Sequence, residues 1–317
     1  MIVKEEARYT KAVNIVFALG LVPFVMQFAV GFVFSYLKRI FPDFFEQNVF
    51  WTDFFLSNFV YIVSYTVLIL FLAQKVTGRK AGEYFSGEKV SAFDKTAYIF
   101  IFLCSATGLS FLWGILSNII NVVFGAQVIG DYTALFDIPV GFAQIAAYFF
   151  LTTVVAAVCE ELIMRAVFCG ILADFNEKAA MVLSSLAFAF FHYTFTQAPY
   201  AFFTGLILAR IYLKTRSFFM VFLLHFLNNM IAAFYTLLSS AINDPMIFRL
   251  YIFTQFCIVC GGICFSILYF SKHKTKETKI YPVSGKSAWK YALASPVLWL
   301  SFVVFALYSF IINMSLI

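Results

Sequence analysis

The sequence predicts an all-α fold, a polytopic helix bundle embedded in a membrane. Hydrophobic residues make up 63% of the 317 residues and charged residues only 12%, whereas a soluble domain carries about 25% charged residues. The mean hydropathy is +0.91. Apolar stretches of about 20 residues recur along the chain, and this is the length that crosses the hydrocarbon core as a helix. We therefore expect a single transmembrane domain over residues 1–317.

Nine apolar stretches are candidate transmembrane helices. They cover residues 12–37, 54–73, 96–123, 139–162, 179–195, 198–213, 217–240, 247–270 and 288–315. We expect the fourth stretch to continue as a helix to about residue 173. The fifth and sixth would form one bent element if the chain only kinks at Pro199, so the predicted count is eight or nine.

The placement of basic residues predicts the orientation of the chain. With nine spans and a cytoplasmic N-terminus, 19 of the 22 lysine and arginine residues fall in inner segments, and only Lys38, Arg39 and Arg249 fall outside. Lysine and arginine concentrate in the cytoplasmic loops of membrane proteins. This favours a cytoplasmic N-terminus and a bacterial plasma membrane, with an endoplasmic reticulum membrane as the alternative. The net charge of +6 thus reflects topology, so we expect contacts with membrane lipids and no nucleic-acid partner.

Deep ionisable residues occur in one block only, residues 139–231. Residues 1–138 and 247–317 lack them and are expected to be scaffold spans. Within the block, Glu160 and Glu161 interrupt an apolar stretch, and His192 and His225 lie in two others. A charge at the bilayer centre costs about 2.5–3.5 kcal/mol, so such residues indicate a functional site.

Helix geometry predicts that these groups share one membrane layer. Glu160 lies 14 residues before Asp174, and His192 lies 14 residues after Lys178, so both are about 21 Å from the inner turn between their helices. His225 and Asn229 come out at about 12 and 18 Å from the inner end of the seventh span. We therefore expect a catalytic cavity among spans four, five and seven.

The two adjacent glutamates are expected to do different jobs. They point about 100° apart around the helix. Glu161 and Arg165 form an i,i+4 pair with the acid first, which is the more favourable order. We assign this pair to structural support, which leaves Glu160 free to face the histidines.

The residue types indicate hydrolysis of an amide or ester. A carboxylate–imidazole pair such as Glu160 and His192 can take a proton from water. His225 and Asn229 can then donate hydrogen bonds to the oxygen that becomes negative. Two other interpretations are packing through interhelical hydrogen bonds and a proton relay in a transporter.

At these positions the chain resembles the CPBP intramembrane proteases, the group of CAAX prenyl proteases and bacteriocin-processing or self-immunity proteins. The resemblance covers the stretch from Glu160 to Asn229. Its motifs are Glu160-Glu161-x-x-x-Arg165, Phe188-x-x-x-His192 and His225-x-x-x-Asn229.

The resemblance implies an intramembrane endopeptidase that cleaves a peptide or a membrane-anchored protein segment. It implies that Glu160 and His192 activate water, that His225 and Asn229 stabilise the oxyanion, and that Glu161 and Arg165 brace the site. A membrane immunity or scaffold protein without catalysis is the first alternative. The second is a zinc protease with Glu160, His192 and His225 as ligands; we favour no cofactor.

Overall fold

A computed structural model of the chain describes residues 2–85, 87, 89–124, 141–192, 194–241, 245–272 and 281–315. The described residues form helices and short connections, with no strand among them. The predicted all-α, polytopic helix bundle is therefore confirmed.

Two of the long helices contain π-helical segments, one in the first case and two in the second. In chain order the elements are α1 (Ile2–Ile40), α2 (Pro42–Gln47), α3 (Val49–Phe59), π1 (Val60–Leu68), α4 (Ile69–Thr77), α5 (Ala81–Tyr84), α6 (Ala92–Phe124), α7 (Phe142–Phe149), π2 (Phe150–Val155), α8 (Ala156–Glu161), π3 (Leu162–Cys169), α9 (Gly170–Ala173), α10 (Glu177–Phe190), α11 (Ala198–Thr215), α12 (Phe218–Ala241), α13 (Pro245–Lys272), α14 (Gly285–Leu293) and α15 (Pro296–Ser315).

Five helices in the described part of the chain are long and apolar enough to cross a membrane, or six if a bent pair counts as one span. The predicted count of eight or nine stays a prediction. The predicted continuation of the fourth span is confirmed, because one helix runs from Phe142 to Ala173. Its predicted start at residue 139 lies outside the described residues. The spanning helices are Lys4–Ile40, Ala92–Phe124, Phe142–Ala173, Phe218–Leu238 and Pro245–Lys272.

The ninth predicted span is not one straight helix. It breaks into α14 and α15, whose axes differ by 60°. Pro296 starts the second part; proline has no N–H, and it disfavours helical backbone at the residue before it. The hydroxyl of Ser295 then accepts a hydrogen bond from the Leu298 N–H at 3.1 Å and caps the new helix.

The fifth and sixth predicted spans form a hairpin of two helices, α10 and α11, rather than one element bent at Pro199. The Arg216 guanidinium, just beyond α11, donates to the Glu177 carboxylate at the start of α10 at 2.6 Å. The start of α10 and the end of α11 are therefore side by side. Pro199 lies in the first turn of α11, where backbone N–H groups have no intrahelical partner to lose.

The core of the molecule surrounds π3, and every residue of this segment is buried. Arg165 is the largest of the fully buried side chains in the described chain. The helices α10, α11 and α4 and the segment π1 all pack against π3. The predicted catalytic block is thus also the best-packed part of the bundle.

The helices α6 and α13 approach each other closely along their length. A Cβ atom on Gly262 would overlap the Cys104 Cβ and would lie 2.8 Å from the Phe100 carbonyl oxygen. Only glycine fits this position without moving the backbone.

Candidate active site

Glu160 and Glu161 end α8 and stand between two π-helical segments, π2 and π3. A π-turn is wider than an α-turn and changes the direction in which the following side chains point, and such turns are frequent at functional sites. The backbone on both sides of the glutamates is therefore shaped differently from a regular transmembrane helix.

Glu161 binds two partners through its two carboxylate oxygens. Oε2 lies 3.2 Å from Arg165 Nε, which is the ion pair that the i,i+4 spacing predicts. Oε1 accepts a hydrogen bond from His225 Nδ1 at 2.8 Å. All three side chains are buried, so the carboxylate and the guanidinium compensate each other away from water.

His225 lies between the two glutamates. Because Nδ1–H is donated to Glu161, the other ring nitrogen, Nε2, is directed to Glu160. Its distance to Glu160 Oε2 is 3.8 Å. This separation is too long for a direct hydrogen bond, but a water molecule could reach both atoms at about 2.8 Å. Glu160 Oε2 is buried and has no hydrogen-bond partner among the atoms described.

His192 lies in the turn that follows α10, whereas the sequence predicts a helix to residue 195. The helix ends earlier, at Phe190, and residues 191–192 form a turn. The His192 ring nitrogen Nδ1 donates to the Phe188 carbonyl oxygen at 2.9 Å, so Nε2 remains as an acceptor. The side chains of Glu160, Arg165 and His225 are within electrostatic range of the His192 ring.

Asn229 faces the same region from α12. Its Nδ2 donates to the Thr152 carbonyl oxygen in π2 at 3.0 Å. An amide nitrogen carries two hydrogens, so one remains for another acceptor. The predicted convergence thus includes residues from the Phe142–Ala173 helix, the end of α10 and α12.

One protein-family comparison bears on this arrangement. Residues 142–231 match the family described as type II CAAX prenyl endopeptidase, Rce1-like. This segment therefore resembles CAAX-type protease domains. The match contains all six predicted site residues and nearly coincides with the predicted block 139–231, and the resemblance to the CPBP proteases is confirmed. No curated protein and no solved structure matches the chain.

The segment that matches the family model contains one site residue, Phe188, whose contacts could not be predicted from residue spacing. Its ring lies 4.4 Å from the Arg165 guanidinium carbon. The rings of His192 and His225 meet it edge-on, with centroids 4.7 and 5.8 Å away. The Phe-x-x-x-His motif marks this position, but its contacts depend on helix rotation. Thr152, the acceptor for Asn229, carries no sequence signal at all.

The zinc ligand set considered from the sequence does not assemble in this arrangement. Among the residues that the structure describes, no group of three His, Cys, Asp or Glu side chains could hold a metal ion. In the set of Glu160, His192 and His225, both histidines use Nδ1 in hydrogen bonds within the protein, which leaves Nε2 of each ring as the nitrogen that a metal ion would bind. Because the three side chains as placed do not converge on one point, the steps below involve protein groups only.

Proposed function

We propose that this protein is an intramembrane endopeptidase that hydrolyses a peptide bond by direct attack of water. The observation that carries the proposal is the Glu160 carboxylate facing a His225 nitrogen from another helix at 3.8 Å, within the segment that resembles CAAX-type protease domains. Burying a carboxylate with an unpaired oxygen in a membrane protein otherwise lowers the stability of the folded state. Its retention is explained if it handles a proton during catalysis.

In the proposed reaction, Glu160 takes a proton from the attacking water, and His192 accepts a second hydrogen bond from the same water molecule. The water oxygen forms a bond to the peptide carbon, and the carbonyl oxygen becomes negative. His225 and Asn229 donate hydrogen bonds to that oxygen. The C–N bond then breaks, and the proton taken from water passes to the leaving amine.

The partners of His225 suit its proposed role as a donor. If Nδ1–H stays hydrogen-bonded to Glu161 while Nε2 also donates, the His225 ring must carry both protons and a positive charge. The Glu161 carboxylate at 2.8 Å stabilises that form. Arg165 holds Glu161 in place from the other side, so the pair would brace the ring that contacts the substrate.

The substrate class follows from the family match and from the membrane setting. A peptide or a membrane-anchored protein segment would reach the site within the bilayer, and membrane lipids would surround it. The family description suggests a prenylated C-terminal peptide. We propose to compare two internally quenched peptides of one sequence, with and without a prenylated cysteine, on protein in liposomes. Mass spectrometry would locate the cut.

Variants of the histidines test the proposal. We expect wild-type protein to cleave the peptide. We expect His192→Ala and His225→Ala to lose this cleavage while both variants remain folded in detergent. Full activity in either variant would remove that residue from the mechanism. No cleavage of any peptide by wild-type protein would favour the immunity or scaffold alternative.

The zinc alternative has a separate test. Metal analysis of the purified protein, followed by activity with and without a chelator, decides it. We expect no stoichiometric zinc and full activity in the chelator. One zinc per chain, with activity lost on chelation, would replace the proposed mechanism by a metal-dependent one.

A further inference from the structure

A series of hydrogen-bonded polar side chains extends from Asn229 into the bundle, and its other members are not part of the three motifs. The Tyr200 hydroxyl, on α11, donates to Asn228 Oδ1 at 3.1 Å. Asn228 Nδ2 in turn approaches Asn229 Oδ1 at 3.4 Å. The series ends where Asn229 Nδ2 donates to the Thr152 carbonyl oxygen.

We infer that Tyr200 and Asn228 are positioning residues that hold the Asn229 amide so that one Nδ2–H points at the reacting carbonyl; this rests on the proposed function. Every link donates in the same direction, from tyrosine to backbone carbonyl. The Thr152 oxygen can only accept, so it fixes which end of the Asn229 amide carries nitrogen. The Asn228 donor satisfies the Asn229 oxygen at the other end.

This arrangement leaves one donor on Asn229 and removes its freedom to rotate. An oxyanion donor is effective only if its orientation is fixed before the reaction. Asn229 lies on α12. The groups that orient it are Asn228 on the same helix, Tyr200 on α11 and the Thr152 carbonyl in π2. Tyr200 and Asn228 are themselves partly buried within the bundle, where few competing hydrogen-bond partners exist.

A double-mutant cycle on activity tests the inference. Tyr200→Phe is expected to lower kcat about 3- to 10-fold, the effect of one lost hydrogen bond, with KM unchanged because the oxyanion forms only in the transition state. In an Asn229→Ala background, Tyr200→Phe is expected to change nothing further. An equal loss in both backgrounds would overturn the inference, since Tyr200 would then act independently of Asn229.

The matched control is Tyr212→Phe. Tyr212 is another buried tyrosine of α11, and its hydroxyl lies beside Gly170 rather than Asn228. We expect kcat of this variant to equal that of the wild type. A similar fall in kcat for both tyrosine variants would show a general effect of α11 packing and would also overturn the inference.

Thermal unfolding provides a test that needs no substrate. Tyr200→Phe and Asn228→Ala remove the same hydrogen bond, so their shifts in Tm are expected not to add in the double variant. Additive shifts would show that the hydrogen bond does not exist. This measurement decides whether Tyr200 and Asn228 are coupled even if no peptide is ever cleaved, which separates failure of the inference from failure of the proposed function.

Discussion

At the scale of single residues, the most unusual feature is an arginine at the centre of a membrane protein's core. Arg165 is fully buried and contacts Glu161, the Phe188 ring and, at 3.5 Å, the Gly205 carbonyl oxygen. Its charge is compensated by a carboxylate that also binds His225. Loss of either member of the ion pair would leave the other charge buried without compensation.

Arg165→Met is therefore expected to be strongly destabilising, by about 3–5 kcal/mol. The double variant Glu161→Gln with Arg165→Met is expected to recover part of that loss, because no charge is then left unpaired. Thermal unfolding of both variants in the same detergent checks this. A double variant less stable than Arg165→Met alone would contradict the role of the ion pair.

Phe188→Leu is expected to lower kcat about 10-fold. The change removes the ring that contacts Arg165 and both histidines, and aromatic contacts of this kind are worth about 0.5–2 kcal/mol. Phe190→Leu is the control, since Phe190 lies on the same helix but stacks on Phe305. Equal activity losses in the two variants would show that Phe188 has no special role.

Only part of this site could be predicted from residue spacing. The Glu161–Arg165 pair follows from i,i+4 geometry, and the common layer of Glu160 and His192 from the rise per residue. The hydrogen bond from His225 to Glu161 could not be predicted, because it depends on how α12 is rotated relative to α8. For the same reason the sequence does not show that His225 binds Glu161 and faces Glu160.

At the scale of elements, most helices match the predicted stretches and the boundaries differ where backbone geometry departs from the regular α-helix. The segments π2 and π3 flank the glutamates without any composition that marks them. The helix α10 ends at Phe190, within the membrane layer of the site, so His192 lies in the turn beyond it. Irregular backbone at such depth is tolerated where it is buried in protein or lines a polar cavity.

The contact between α6 and α13 yields a prediction at this scale. Gly262→Ala is expected to destabilise the protein by about 1–3 kcal/mol, since the added methyl overlaps Cys104 and the Phe100 carbonyl. Gly108→Ala is the control, because a Cβ there meets nothing within 4 Å; we expect it to be neutral or slightly stabilising. Thermal unfolding of the two alanine variants compares them, and equal Tm values would contradict the close approach.

At the scale of the whole molecule, the helical class and the multi-pass character follow from composition, while orientation still rests on the distribution of basic residues. Composition suffices because a bilayer admits few spanning structures other than helices. The number of spans cannot be read as simply, because the described part of the chain has five or six helices that are long and apolar enough to cross a membrane, against eight or nine predicted stretches.

Cysteine labelling tests the orientation. In a background without native cysteines, Asp43→Cys is expected to react with a membrane-impermeant maleimide on intact cells, and Lys80→Cys only after permeabilisation. Both positions are exposed, so access to the side chain does not limit either reaction. The reverse pattern would place the N-terminus outside and overturn the predicted topology.

The central claim is that Glu160 takes the proton of the attacking water. The most direct measurement is kcat of Glu160→Gln against wild-type protein on one cleavable peptide, with the exposed residue change Glu46→Gln as control. We expect kcat of Glu160→Gln to fall by at least about 10³-fold, which lies within the 10²–10⁴-fold contribution that is usual for acid–base catalysis. Its Tm is expected to be unchanged. Turnover by Glu160→Gln equal to that of the wild type would contradict the account.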